Sequence, residues 1–330
     1  MSELSGLRKP GQGYIYNTFG DVQYLRYAIT SVYTLRRYDQ DRPVVLVCDK
    51  NHKEILLKES LDHLFSDIIV LTDENSSITG FKHNLHYFMP FEENLFLDSD
   101  IVWCKNPNKL WESFGPYEFT ITGNKIADLF FGGPKGLGII FDFVFRRRNQ
   151  TLKKFGLTYL SRVQSGMIYS SDQKTTESVC RIAAEMKKNQ HETHFRSRTI
   201  EKGRLQESCE WSLSMAMAKL KLQVYPWLNG YDSPQLDFIE DYTTYDEEFK
   251  HVECLVYNDR YVYDLKGIRW RWFRRLFISL MSILPGKGDH LYTTPYCLHF
   301  GWYHQKEPLK KFSHKVWSEL KSRPIPVHQD

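Results

Sequence analysis

Over the first hundred residues, short apolar runs alternate with stretches of helical periodicity, and this alternation limits the chain to one fold class. Gly13-Tyr-Ile-Tyr16, Pro43-Val-Val-Leu-Val-Cys48, Asp67-Ile-Ile-Val-Leu71 and Leu95-Phe96-Leu97 are the runs. Four to eight apolar residues bounded by polar ones suit strands buried on both faces. After the first run, Asp21 is placed to cap a helix whose Val22, Leu25, Ala28, Ile29, Val32 and Leu35 follow helical spacing. Further helices are expected at about 53–60 and 81–89, the second with Phe81, Leu85 and Phe88 on one face and Pro90 as its stop. Strands alternating with helices predict a mostly parallel sheet and an α/β half that binds a nucleotide.

The fourth run ends in Asp98-Ser99-Asp100. In an open α/β sheet the carboxyl ends of the strands face the ligand crevice. Two carboxylates placed there repel one another and lose solvation, which a divalent cation relieves. Hard oxygen ligands favour Mn2+ or Mg2+, which also engage substrate phosphates.

The second half is less regular. A strand is expected at 119–122, a small-residue turn entering a strand at 164–169, a last short strand ending at 297–301, helices at 175–188 and 207–219, and a long loop at 228–248. The glycine-rich stretch Gly132–Gly138 lacks the Gly-Lys-Ser/Thr ending of a phosphate loop and is read as an acceptor-side or mobile loop. Lys and Arg number 44 against 40 acidic residues, too even a balance for a general nucleic-acid binder. The six cysteines are scattered without a Cys-x-x-Cys pair, as expected of reduced core residues. The polar start lacks the apolar core of a secretion signal and no eighteen-residue apolar run follows, so a cytoplasmic location is expected. Residues 266–284 mix arginine and tryptophan and then turn apolar. They suit either a core-packed helix with solvated arginines or a helix lying peripherally on an anionic membrane.

Several other residues carry potential chemistry. Lys82 lies sixteen residues before Asp98. In Cys297-Leu-His299-Phe-Gly301 a histidine ends an apolar run, a glycine permits close backbone approach, and Lys306 follows. A neutral imidazole is a reasonable third ligand for Mn2+, and a lysine is a point charge for diphosphate oxygens. Gln164-Ser165-Gly166 reads as a small-residue turn, and Glu207 and Glu210 are spaced to share one helix face.

Together these segments resemble GT-A fold glycosyltransferases, and most closely the retaining glycogenin and bacterial galactosyltransferase-like family. That family runs in order through a nucleotide-binding first strand, an upstream basic residue, Asp-x-Asp, an Asn-Ser-Gly-like turn, an acidic helix and a C-terminal His-x-x-Gly-x-x-Lys-Pro motif. Here the matching positions are 14–18, Lys82, 96–100, 164–166, 207–210 and 299–308. Gln164 stands in place of Asn, the helix lacks Asp-Gln-Asp, and the last motif is spaced His-x-Gly-x-x-x-x-Lys-x-Pro.

The resemblance implies one Rossmann-like GT-A domain over 1–330. About 1–125 would form the nucleotide-sugar half, and about 126–330 the acceptor half with the C-terminal motif. It implies a metal held by Asp98, Asp100 and His299. Tyr16, Asn17, Thr18, Lys82, Asp98, Ser99, Gly301 and Lys306 would hold the nucleotide-sugar donor, and Glu210, Glu207 and Gln164 would act at the reacting centre. The implied reaction moves a hexose from a UDP-linked donor to a hydroxyl of a glycan or lipid-linked glycan, with retention. A sugar-phosphate nucleotidyltransferase is the enzymatic rival, but Asn17–Asp21 is not the glycine-rich basic loop such an enzyme carries after its first strand. A non-catalytic carbohydrate-binding or scaffold relative is the other rival, and the intact Asp98, Asp100 and His299 speak against it.

Overall fold

The computed structural model describes residues 8–72, 77–127, 131, 144–195, 208–256, 270–282, 291–301 and 303–322. The expected alternation is present. β1 (Lys9–Thr18), α1 (Val22–Leu35), β2 (Val44–Cys48), α2 (Lys50–Lys58), β3 (Asp67–Val70), α3 (Ile78–Lys82) and β4 (Phe91–Leu97) follow one another. Then come β5 (Ile101–Trp103), α4 (Asn108–Phe114), β6 (Phe119–Asn124), α5 (Arg147–Phe155), β7 (Arg162–Ser170), α6 (Gln173–Lys188) and α7 (Glu210–Lys219). The chain closes with β8 (Tyr225–Pro226), β9 (Gln235–Asp237), β10 (Thr243–Tyr245), β11 (Val252–Val256), α8 (Arg271–Ser282), β12 (Leu291–Thr293), β13 (Cys297–His299) and α9 (Glu307–Ser322).

Seven strands form the central sheet in the order β3-β2-β1-β4-β7-β6-β8. β3, β2, β1 and β4 are parallel, β7 runs antiparallel to both β4 and β6, and β8 is parallel to β6. Side chains alternate across a strand, so β1 feeds two cores. Tyr14 and Tyr16 enter one core with Leu25, Ile29 and Val32 of α1 and Leu309, Phe312 and Val316 of α9. Ile15 enters the other, with Phe96, Val179 of α6 and Leu213 of α7. Each such fully buried side chain contributes on the order of 1.5–3 kcal/mol. Asp21, Asp49 and Asp172 cap α1, α2 and α6 through their side chains.

Three expectations are corrected. Gln164-Ser165-Gly166, expected as a turn, lies inside strand β7. The helix expected at 81–89 is instead the short α3 followed by a single 3-10 turn, Leu85–Tyr87. Asn84 breaks it: its backbone is non-helical, and its side-chain amide donates to the Gly80 carbonyl at 2.8 Å. Phe81, Leu85 and Phe88 are nevertheless all buried. The stretch 228–248 is not one long loop, since it contains β9, β10 and the 3-10 turns Gly230–Asp232 and Glu240–Tyr242. Three-residue strands have too few positions to show periodicity and are fixed by their partners across the sheet. The six cysteines are free and buried, as expected. The glycine-rich stretch 132–138 lies outside the described residues.

Candidate active site

The site forms where a small second sheet, β5-β13-β9, meets the carboxyl end of β4. The chain leaves β4 at Leu97, passes through Asp98-Ser99-Asp100 and enters β5. β13 pairs antiparallel with β5 and parallel with β9, which sets His299 beside Ile101 on one side and Asp237 on the other. Two backbone bonds clamp the turn: Asp98 N–H donates to Gly166 O and Phe300 N–H to Asp100 O, both at 2.9 Å. Residues two hundred positions apart thereby reach one point. One ligand atom each from Asp98, Asp100 and His299 lies within 4.8 Å of the others.

His299 is held from behind. Its Nδ1 is 2.6 Å from Asp237 Oδ1 and 2.8 Å from Gln164 Nε2. Its Nε2 faces the two aspartates, 3.6 Å from Asp100 Oδ1 and 3.9 Å from Asp98 Oδ2. Burial alone would lower the imidazole pKa, but the carboxylates of Asp100 and Asp237 outweigh it and raise it to about 10. Gly301 makes room for the ring, because a Cβ there would lie 2.5 Å from His299 Cε1.

Two lysines flank the aspartates. Lys82, at the end of α3, places Nζ 2.6 Å from Asp98 Oδ1, 2.7 Å from Ser165 O and 3.0 Å from Ser165 Oγ. Lys306, just before α9, bonds Asp100 Oδ2 at 2.5 Å and lies near the rings of Tyr24 and Tyr27. Burial would lower both ammonium pKa values, and the adjacent aspartates instead raise them. Burial likewise favours protonation of Asp100, but Lys306 and His299 hold its carboxyl well below the usual range. Three carboxylates, counting Asp237, thus converge on two ammonium groups and one imidazole. That donor set of hard oxygens and one nitrogen, in a field that binds a proton tightly, fits a divalent cation.

The other expected residues divide. Gln164 is buried behind His299, with its amide also close to Gln235 and its carbonyl accepting from Thr122 Oγ1 at 2.9 Å. Ser99 is buried inside the turn. Glu210 opens α7 and lies 3.5 Å from Ser165 N, next to the Lys82 contact. Glu207, expected to share a helix face with Glu210, lies outside the described residues. At the end of β1, Asn17 is half-buried and bonds Val47 O, while Thr18 is buried with Oγ1 3.0 Å from His52 Nδ1. Tyr16 is corrected to a core residue. It has no exposure, and its hydroxyl is used by Ser31 at 2.8 Å and Trp103 Nε1 at 3.0 Å.

Asp237 and Gln235 escape the sequence. Asp237 is one of several acids in a stretch that also holds Asp232, Asp241 and Asp246, and no spacing marks it. Its place is set by the β9–β13 pairing.

No family model matches the sequence, and no curated protein matches it. Among solved structures, the galactosyltransferase LgtC in complex with donor and acceptor sugar analogues aligns with a TM-score of 0.52 at 9% identity, covering 95% of this chain and 98% of that one. An active-site mutant of LgtC aligns with a TM-score of 0.50 at 10% identity, covering 95% and 98%. The glycosyltransferase GlyE of Streptococcus pneumoniae gives 0.47 at 16% identity, and the chain spans 61% of its length while 95% of this chain is covered. At such identities the likeness is one of fold, and the two-sided α/β sheet of this chain is the GT-A fold of the LgtC structures.

Proposed function

We propose that this chain is a metal-dependent glycosyltransferase that moves a hexose from a UDP-linked sugar to a hydroxyl of a glycan or lipid-linked glycan, with retention at the anomeric carbon. The convergence of Asp98, Asp100 and His299 at the carboxyl end of β4, within a GT-A fold, carries this reading. Breaking a sugar–phosphate bond leaves negative charge on the diphosphate, and catalysis requires fixed positive charge where it develops. Asp98, Asp100 and His299 would hold a Mn2+ or Mg2+ ion, which would supply part of that charge.

The chain's own residues do the rest. Lys306 presents a point charge beside Asp100, within reach of a diphosphate bound there. Lys82 fixes Asp98 and ties it to the backbone of Ser165. Asp237 accepts from Nδ1 and orients the imidazole so that Nε2 points to the aspartates, while Gln164 packs beside the ring. Asn17 is the half-buried polar group at the end of β1 that suits the nucleoside. Glu210 sits beside Ser165, where a carboxylate steadies positive charge on the sugar or positions the acceptor hydroxyl; Glu207 is the second choice for that role.

Thermal unfolding with a panel of UDP-, GDP-, CMP- and dTDP-sugars, each with and without Mn2+, tests the assignment, since a ligand of the folded state raises its stability. A shift with a UDP-sugar that needs Mn2+ and vanishes in Asp100→Ala is expected. No shift with any donor would sink the proposal, and an inverted anomer in the product would remove the retention it includes.

A further inference from the structure

Helix α8 faces the wrong way for a helix packed by its apolar side. Arg271 and Arg275, one turn apart, converge on one carboxylate, Asp241, whose side chain has no exposure. Arg271 Nε donates to Asp241 Oδ1 at 3.0 Å and Arg275 donates to the same oxygen at 2.8 Å. The arginines therefore pin the helix to the protein. At about 100° per residue, Trp272, Phe273, Leu276 and Leu280 occupy a face roughly 130° away from them. These four are 65%, 41%, 48% and 56% exposed. Trp270, 69% exposed, stacks on Trp272 with ring planes 10° apart.

We infer that α8 is a docking surface for an anionic bilayer, lying flat with Trp272, Phe273, Leu276 and Leu280 at the headgroup–acyl boundary. Charge selects this occupant. Residues 266–275 carry Lys266, Arg269, Arg271, Arg274 and Arg275 and no acid, so the two neighbouring acids, Glu240 and Asp241, leave the segment positive. Tryptophan beside arginine on an apolar helix suits an interface with anionic lipid headgroups. Twelve residues are too few to span the hydrocarbon, and the helix is too polar on its arginine side.

The anchor is joined to the candidate site. Asp241 follows Asp237 by four residues, at most about 14 Å of chain. The intervening Glu240 N–H donates to Gln305 Oε1 at 2.9 Å, next to Lys306. A bilayer under α8 therefore lies beside the segment that carries Asp237 to His299, which gives an acceptor held at a membrane surface a short approach. The surface itself does not depend on glycosyl transfer, and its test uses no turnover.

The full chain is co-sedimented with vesicles of phosphatidylcholine alone and of phosphatidylcholine with roughly one third phosphatidylglycerol. Binding to the anionic vesicles is expected, with Trp fluorescence quenched by brominated acyl chains. The triple change Trp272→Ser, Leu276→Ser and Leu280→Ser, all at exposed positions, is expected to cut the bound fraction at least about tenfold. Its thermal unfolding should match the parent. A parent that stays in the supernatant, or a variant that binds like the parent, overturns the inference. So does a parent dimer that the same changes dissociate without vesicle binding, which assigns the face to a second copy of the chain.

Discussion

Gly301→Ala is the sharpest single perturbation of the candidate site, because it adds one carbon and nothing else. Gly301 is not among the positive-φ glycines, so alanine accepts its backbone without strain. The new Cβ would sit 2.5 Å from His299 Cε1 and 2.9 Å from Nδ1, about 1 Å inside ordinary contact. The ring has little room to retreat. It is 4% exposed, with Asp237 and Gln164 against Nδ1 and the aspartates ahead of Nε2. A swing of about 1 Å forfeits the Asp237 bond, a hydrogen bond to a charged group worth roughly 1.5–3 kcal/mol. It also misdirects Nε2. Manganese affinity should therefore fall roughly 10- to 100-fold, the usual effect of losing a ligand's outer support. Overpacking should cost a further 1–3 kcal/mol or so of stability. The assay is a Mn2+ titration read by the electron paramagnetic resonance of the free ion, with circular dichroism confirming the fold. A folded Gly301→Ala protein that binds Mn2+ within about twofold of the parent would refute the steric reasoning.

Tyr16→Phe should cost about 1–3 kcal/mol in urea unfolding, because Ser31 and Trp103 Nε1 lose their shared partner, while donor-induced stabilisation stays as in the parent; weakened donor binding would return Tyr16 to the site. Lys306→Ala should lower kcat/KM by on the order of 100-fold for a competent donor, and a variant of full activity would remove Lys306 from the leaving-group charge. His83 and His194 each have a pKa lowered to about 4, chiefly by burial. Above pH 6.5 both are neutral folded or unfolded, so stability is complete. As pH falls from 6.5 to 4 the unfolded chain takes up protons that the folded chain refuses, and each histidine removes up to about 3 kcal/mol. His83→Asn should flatten the fall in urea midpoint across that window, and an unchanged slope would count against the burial effect.

The first half of the fold is legible because its signals are local. The apolar runs of β1, β2 and β4 are buried as expected, while β3, at the edge of the sheet, is part-exposed; the α1 face repeats at the helix period, and aspartates mark the starts of α1 and α2. The failures are local too. The apolar spacing of Phe81, Leu85 and Phe88 is helical and all three are buried, yet one asparagine side chain competing for the Gly80 carbonyl ends the helix. Periodicity reports which side is buried; it does not report whether the backbone between those residues stays helical. Tyr16 shows the same limit from the other side. Its position at the end of a nucleotide-half strand fits donor contact, but strand alternation sends it to the opposite face, towards α1.

The site was legible in its ends and illegible in its support. Asp98 and Asp100 stand out because charge interrupts an apolar run, and His299 because it ends one. What makes them a site is their support, and that is set by pairings over long separations. β13 brings His299 to Ile101 across almost two hundred residues, and β9 brings Asp237 to His299 across 62. Each of these strands is three residues long, so neither carries enough side chains to announce its partner. Their register is fixed instead by the core around them, where Leu236, Leu298 and Val102 are all buried in one cluster. The chemistry of the site thus rests on the apolar residues that hold these short strands in register. A substitution in that cluster that slips β13 by one residue would turn His299 to the other face of its sheet and leave the aspartates with no nitrogen ligand.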